Sequence, residues 1–305
     1  MTEAAFWPDG ARLVLSISMQ FEAGGEVVYG APGPLDGLGT MDDVLDYPTK
    51  SWYRYGYVEG LQRMMDLWDR FGIKVTSHMV GSAVDNAPHI ALEIVERGHE
   101  AAAHGRDWVP QYDMEADAEK AFIEANVASI ERATGTRPLG YNSAAMRPTA
   151  NTLKILSDLG FTYHIDDVSR DEPFLIPVRG RPFAVVPYTL QHNDIIQFER
   201  YGFSAHDFER ELKDGFDQLY EEAAHRRRMM SISLHDRIGG RPHRVRAISR
   251  FLEYALAQPG VIVLRKDEIA AFALTDPTIL QDVNEHDRWA EIEDGLGTAK
   301  VGRMG

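Results

Sequence analysis

The stretch RGHEAAAHGRDW, residues 97–108, decides the fold because it joins a helix end, a short buried strand and a histidine. The helical spacing of apolar residues ends at Gly98, and the run 100–103 then predicts a strand. His104 and Gly105 follow where that strand ends. A lone histidine in such a place is more often a packed core residue than a catalytic one, so its role depends on what the other strands carry.

Other predicted strands also end in polar side chains. Residues 11–19, ARLVLSISM, are rich in Leu, Val and Ile and predict a strand that is buried on both faces. Gln20 and Glu22 follow on one side of it, where two polar groups are costly unless they are paired or used. The same placement at or just past a strand end recurs for His78, Asp166 and His235. This recurrence favours a chemical role over packing.

The order of the predicted elements favours one α/β domain. About eight strands alternate mostly with helices, which is typical of a parallel sheet or barrel. The first strand-to-helix turn lacks GxGxxG, and there is no Walker A sequence and no internal repeat. We therefore predict a single barrel-like domain over residues 1–275 and a polar tail over residues 276–305. Residues 27–56, with many Gly, Pro and Asp, are predicted to form a long irregular loop.

The composition restricts the class of partner. The chain has 305 residues, a formal net charge of −15 and no cysteine. The negative charge disfavours nucleic acid and anionic membranes, and the missing thiols exclude disulfides and cysteine nucleophiles. There is no apolar run of membrane-spanning length and no secretory signal pattern at the start. We expect a cytoplasmic protein with a small-molecule substrate, assembled as a homo-oligomer.

The side chains expected at the barrel mouth point to water activation. Carboxylates and imidazoles occur there without a thiol or a GxSxG serine. Glu22 or His104 could deprotonate a water, and His235 could protonate a leaving nitrogen. A catalytic zinc usually has three protein ligands, whereas Glu22 and His104 supply two, and Trp108 stands where a second histidine would complete His-x-x-x-His. The residues favour a site without a cofactor, with zinc at Glu22 and His104 as the alternative.

Five stretches carry a resemblance to a known family. They are MQFEAGGE (19–26), GHEAAAHGRDW (98–108), ATGTRPLGY (133–141), VPYTLQHND (186–194) and SISLHDRIGGRPHR (231–244). In this order they resemble the NodB-type polysaccharide deacetylases, and among them the metal-independent allantoinase branch of the PuuE type. The resemblance implies a distorted (β/α) TIM-like barrel that hydrolyses a non-peptide C–N bond at its mouth.

The resemblance also implies roles for single residues. Gln20 falls on the position of the family's base aspartate, and Glu22 falls on that of its metal-binding aspartate. His104 and Trp108 fall on the two metal-binding histidines, and His235 falls on the acid. The metal-independent branch shows a similar loss, with an amide at the first of these positions and a tryptophan at the later one.

These observations lead to one prediction and two alternatives. We predict a hydrolase that opens a small cyclic amide, imide or ureide, with Glu22, His104, His235 and Gln20 as the catalytic residues. The substrate pocket is predicted to include Trp108, Tyr188, Arg147 and Asn142. The alternatives are a metal-dependent N-deacetylase of an acetylated amino sugar, and a degenerate member of the family that binds a ligand without cleaving it.

Overall fold

The computed structural model describes residues 6–35 and 44–282. The strands are β1 (Leu13–Phe21), β2 (Thr76–Met79), β3 (Glu100–Ala103), β4 (Gly140–Tyr141), β5 (Tyr163–His164), β6 (Phe174–Val178), β7 (Arg181–Val185), β8 (Met229–His235), β9 (Val261–Val263) and β10 (Leu280–Gln281). The α-helices are α1 (Tyr47–Tyr55), α2 (Leu61–Phe71), α3 (Gly81–Asn86), α4 (Pro88–Glu96), α5 (Ala116–Thr134), α6 (Thr152–Asp158), α7 (Ala205–Glu222), α8 (Pro242–Leu256) and α9 (Lys266–Thr275). Short 3-10 helices cover Pro8–Gly10 and Ala144–Met146, and π-helical turns cover Gly56–Gly60 and Ile195–Arg200.

The strands form one sheet in the order β10-β6-β7-β5-β4-β3-β2-β1-β8, with β9 also paired to β1. Neighbouring strands run parallel, apart from the antiparallel pair β6 and β7. The parallel α/β architecture predicted from the alternating elements is thus confirmed. The sequence pattern missed β6, which contains Pro177 and forms a hairpin with β7. It also missed β10, which lies in the predicted tail and pairs with β6; residues 283–305 of that tail lie outside the described part.

Irregular chain next to β8 gives the sheet its distorted-barrel form. Ser231 Oγ donates to the carbonyl of Pro187, and the amide of Ser233 donates to the carbonyl of His192 at 3.0 Å. Asn193 also forms a parallel bridge with Ser233. The chain that follows β7 therefore lies along the side of β8 that has no regular strand beside it.

The two faces of the central strand β1 differ in chemistry. Leu13, Leu15, Ile17, Met19 and Phe21 belong to the large apolar core that packs against the helices. The alternate residues Ser16, Ser18 and Gln20 face the other side, because side chains alternate along a strand. In register with Gln20 lie His78 of β2 and His235 of β8. Val14, which precedes them on this side, belongs to a second apolar cluster, so the inner side becomes polar toward the carboxyl ends of the strands.

The long loop predicted over residues 27–56 is wrong in its last part, which forms α1. The carboxylate of Asp46 caps this helix and accepts a hydrogen bond from the Thr49 amide at 3.1 Å. After α1, the glycines at 56 and 60 pass close to Asp236: a Cβ at Gly60 would lie 1.9 Å from the Asp236 carbonyl oxygen. Glycine at both positions lets α1 and α2 pack against the turn after β8. Residues 36–43 of the predicted loop lie outside the described part.

In the two described segments, no helix is both long enough and apolar enough to cross a bilayer.

Candidate active site

Three of the predicted catalytic side chains meet at the carboxyl ends of β1, β3 and β8. Glu22 Oε1 lies 3.3 Å from His104 Nε2 and 3.4 Å from His235 Nε2. All three residues are at most 4% exposed. The convergence follows from topology, since parallel strands that are neighbours in the sheet end at the same edge. Distant parts of the chain thus supply one carboxylate flanked by two imidazoles.

Two cationic groups hold Glu22 in its ionised form. Burial alone would raise the pKa of Glu22, but the charges of His235 and Arg237, with hydrogen bonds from His104 and His235, hold it well below the ordinary value. The contact with Arg237 is the shortest, at 2.7 Å from Nη1 to Glu22 Oε2. A buried carboxylate with this many cationic neighbours remains charged at neutral pH.

His235 is paired with an acidic residue that the sequence reasoning did not single out. Asp194 Oδ1 lies 2.6 Å from His235 Nδ1, and its other oxygen accepts the His235 amide at 2.8 Å. Burial lowers the pKa of His235, but the carboxylates of Glu22 and Asp194 outweigh burial and raise it to about 10. His235 is therefore a protonated imidazolium at neutral pH, which suits a proton donor.

His104 is held in one tautomer by a backbone carbonyl. Its Nδ1 lies 2.7 Å from the main-chain oxygen of Asn142. Because a carbonyl can only accept, Nδ1 carries the proton in this contact. The contact of His104 Nε2 with the Glu22 carboxylate, at 3.3 Å, is a hydrogen bond when Nε2 is also protonated, because a carboxylate only accepts. In its neutral form His104 has a lone pair at Nε2 and can accept a proton there, after which Glu22 accepts the new N–H. His235, by contrast, is arranged to donate a proton.

Gln20 is joined to the predicted pocket residue Tyr188. Gln20 Nε2 donates to the Tyr188 hydroxyl at 2.8 Å, and that hydroxyl also contacts Ser233 Oγ. Gln20 Oε1 has no hydrogen-bond partner among the described residues. Both side chains are buried, at 1% and 8% exposed, so they lie below the mouth rather than in the open pocket.

A cavity of about 280 Å³ adjoins this cluster. Its lining is mostly aromatic and prolyl: Pro32, Gly33, Pro34, Trp52, Tyr53, Trp108, Ile195, Glu199 and Arg237. Trp108, predicted from its place four residues after His104, lies in this lining. The volume is near the lower end of the range for small-molecule sites.

Other predicted residues take different places. The Asn142 side chain donates to Asp166 at 2.7 Å, so Asn142 meets the site through its main-chain carbonyl. Arg147 is exposed and is absent from the cavity lining, and it directly follows the short 3-10 helix Ala144–Met146. His78 is buried, and its ring centre lies 6.4 Å from that of His104.

Sequence reasoning missed three residues of the site. Asp194 binds His235. Asp236 Oδ2 accepts hydrogen bonds from the backbone amides of Glu22 and Ala23. Arg237 lies in the turn after β8, two residues beyond His235. A usable signal was present in the motif LHDRI, where two charged residues directly follow a strand-end histidine.

The comparisons with known proteins agree with this geometry. Residues 52–164 match the family model described as polysaccharide deacetylase. PuuE allantoinase has a crystal structure with 32% identity and a TM-score of 0.82, covering 89% of this chain and 93% of that one. The structure of a probable polysaccharide deacetylase from Pseudomonas aeruginosa PAO1 has 31% identity and a TM-score of 0.82, covering 89% and 94%. A Schizosaccharomyces pombe protein assigned to the polysaccharide deacetylases is 28% identical over 291 residues, 87% of this chain and 91% of its own.

The fold and the site define a hydrolase that acts on C–N bonds. The chain belongs to the polysaccharide deacetylase family, as the resemblance of its five stretches implied. The distorted-barrel architecture is confirmed by the same structures.

The expectation that the site needs no cofactor is corrected by the family, because polysaccharide deacetylases are generally metal-dependent. The donors of this chain nevertheless differ from such a centre. Glu22, His104 and His235 meet, but within residues 6–35 and 44–282 no group of three His, Asp or Glu side chains has an arrangement that could hold a metal ion. Arg237 pairs with Glu22, and an indole occupies position 108. The residues present do not fit the family's metal, and no step below is derived through one.

Proposed function

We propose that this enzyme opens the ring of a small cyclic amide, imide or ureide by adding water across its C–N bond. The observation that carries the proposal is the pair of histidines with opposite proton roles on either side of Glu22. Hydrolysis of an amide requires removal of a proton from water and delivery of a proton to nitrogen. In its neutral form His104 has a lone pair at Nε2, which suits the first task, and the His235 imidazolium suits the second.

The reaction then follows from the contacts. His104 Nε2 accepts a proton from a water as the water oxygen bonds to the carbonyl carbon, and the carbonyl π electrons move to oxygen. When the tetrahedral intermediate collapses, the C–N bond breaks and its electron pair remains on nitrogen. His235 Nε2 delivers a proton to that nitrogen. Glu22, which lies between the two rings, stabilises the positive charge that His104 acquires.

The size and lining of the cavity support a single small ring. Trp52 and Trp108 offer flat surfaces, and the volume of about 280 Å³ suits one planar ring better than a chain of sugars. The likeness to PuuE allantoinase, over 89% of this chain, supports the same substrate class. An assay of several cyclic compounds identifies which ring of this class is the substrate.

The test is a panel of hydantoin, succinimide, dihydrouracil and allantoin. We expect the wild-type protein to open at least one ring, and His235→Gln to reduce kcat/KM by about a hundredfold to ten-thousandfold. The matched control is His89→Gln, because His89 is an exposed histidine on α4. Equal rates for wild type and His235→Gln, or no ring opening by the wild type, would contradict the proposal.

A second candidate is the N-deacetylation of an acetylated amino sugar. The match to the polysaccharide deacetylase family model and the likeness to the Pseudomonas structure favour it. Release of acetate from N-acetylglucosamine or its oligomers, with no ring opening of the cyclic panel, would select this activity.

A small-molecule substrate, a cytoplasmic location and a homo-oligomeric assembly also stay predictions.

A further inference from the structure

Arg237 occupies an unusual place between the cavity and the catalytic cluster. Of the nine residues that line the cavity, it is the one that hydrogen-bonds to the Glu22 carboxylate. The turn that carries it is fixed, because Asp236 Oδ1 accepts the Arg237 amide at 2.6 Å and the glycines at 56 and 60 pack against Asp236. Arg237 is therefore held at the boundary between the cavity and the catalytic groups.

The guanidinium is enclosed by aromatic rings. Its Cζ lies 4.3 Å from the ring centre of Tyr53, 4.8 Å from that of Trp52 and 5.9 Å from that of Trp108. These distances are typical of cation–π contacts, which keep the flat group in one plane. The residue is 1% exposed, so its charge acts in a poorly solvated environment.

Part of its hydrogen-bonding capacity is unused by the protein. A guanidinium has five N–H donors, and the hydrogen bonds of Arg237 to the described residues come from Nη1, to Glu22 and Asp236. Its Nε is buried and has no partner among these residues. A buried donor without an acceptor is costly, so a ligand oxygen in the adjoining cavity would relieve that cost.

We propose that Arg237 binds the oxygen of the scissile carbonyl, using the N–H groups that do not contact Glu22. This inference rests on the proposed function in that it requires an amide-type substrate, cyclic or acyclic. As water bonds to the carbonyl carbon, the π electrons that move to oxygen are stabilised by the Arg237 charge. After the C–N bond breaks, the same oxygen belongs to the product carboxylate, which remains paired with the guanidinium.

The test measures carboxylate binding apart from turnover. The background variant is Glu22→Gln, which lets Arg237 be replaced without leaving the Glu22 carboxylate buried and unpaired, while Asp236 keeps its backbone amide donors. Isothermal titration calorimetry then follows acetate, the product of deacetylation, and N-carbamoylglycine, the product of hydantoin opening. We expect Glu22→Gln/Arg237→Gln to bind the better of the two about tenfold to a hundredfold more weakly than Glu22→Gln alone.

Two further variants make the result specific. Arg237→Lys in the same background should lose less affinity, because it keeps the charge but not the planar fork. Arg12→Lys is the matched control: Arg12 also stacks on a tyrosine, 3.9 Å from the Tyr220 ring centre, but is absent from the cavity lining. Its affinity should be unchanged.

The outcomes distinguish this inference from the proposed function. Equal binding with and without Arg237, or no carboxylate binding by Glu22→Gln itself, would overturn the role of Arg237. Carboxylate binding that depends on Arg237, combined with no ring opening by the wild type, would instead end the proposed function and support Arg237 as the carbonyl-binding residue of a different amide hydrolase.

Discussion

Two buried clusters of ionisable groups lie at opposite ends of the same inner strands. The cluster at the mouth contains Glu22, His104, His235, Asp194 and Arg237. The cluster at the base contains Glu100, Lys266, Tyr163, Thr76 and Ser16. Each of these ten residues is at most 7% exposed. Their environments are equally dry, so the contacts within each cluster account for the difference in protonation.

At the mouth, opposite charges are in contact, and the groups stay ionised. At the base, burial is the dominant influence. Lys266 Nζ donates to Ser16 Oγ at 2.8 Å, and burial lowers its pKa to about 7. Burial, followed by the charge of Asp267, raises the pKa of Glu100 to about 7. The comparison teaches that burial alone drives groups toward neutrality, whereas direct ion pairs hold the charges that catalysis requires.

The base cluster has a structural task. Glu100 accepts hydrogen bonds from Thr76 Oγ1 at 2.6 Å, from the Tyr163 hydroxyl at 2.7 Å and from the Asp267 amide at 3.0 Å. These bonds tie β2, β3 and β5 to the first turn of α9. Substitutions at the mouth should therefore change activity, and substitutions at the base should change stability.

The largest expected effect separates two neighbouring histidines. His104→Gln should lower kcat/KM by about a hundredfold to ten-thousandfold, because it removes the proton acceptor. His78→Gln should leave kcat/KM within about threefold, since the His78 ring makes no hydrogen bond within the described residues and only lies beside the ring of His104, 6.4 Å between their centres. Steady-state kinetics on the best ring substrate measures both. A comparable loss in the two variants would remove the distinction between the histidines.

The next effect concerns the proton that His235 donates to the leaving nitrogen. His235 acts while protonated, so activity should fall as the pH rises through about 10. Asp194→Asn removes a negative charge beside the ring, which lowers the pKa of His235. The alkaline fall in kcat/KM should therefore move to lower pH by about one unit or more. The pH profile of wild type and variant tests this, and an unshifted alkaline limb would rule out His235 as the donor.

A third prediction addresses stability at the base. The folded-state pKa of Lys266, about 7, is below its ordinary value, so the folded state resists protonation that the unfolded chain accepts. This penalty is full below pH 7 and disappears as the pH rises past about 10. Lys266→Met should raise the free energy of unfolding by about 1–3 kcal/mol at pH 6, with little change above pH 10. Urea unfolding at several pH values measures it; a destabilised variant at pH 6 would contradict it.

The smallest expected effect is at Ser16. Ser16→Ala removes the hydrogen bond that Lys266 donates and should lower the free energy of unfolding by about 1 kcal/mol. Activity should be unchanged, because Ser16 lies at the base of the barrel. A loss of kcat/KM without a loss of stability would show that the two clusters are coupled.

Sequence reasoning located the meeting point of the site because that point depends on regular geometry. Strand ends in a parallel sheet share one edge, so Glu22, His104 and His235 could be placed together from strand boundaries alone. Asp194 could not, because it reaches His235 through the irregular chain after β7. The role of Arg147 stays a prediction for the same physical reason, since the direction of a loop is set by packing rather than by a repeat.

The protonation states of the site residues also could not be predicted from the sequence. Whether a buried carboxylate is ionised depends on distances of a few ångströms to its neighbours. His235 and Arg237 decide this for Glu22, and the position of Arg237 depends on close packing of the glycines at 56 and 60 against Asp236. No spacing of residues in the sequence predicts that contact.

The most direct measurement is mass spectrometry of the cyclic panel after incubation in water labelled with heavy oxygen. The wild-type enzyme is expected to yield a ring-opened product with one labelled oxygen in its new carboxylate, and His235→Gln is expected to yield almost none. Intact rings with the wild-type enzyme, or equal labelled product from both proteins, would contradict hydrolysis by the paired histidines at the barrel mouth.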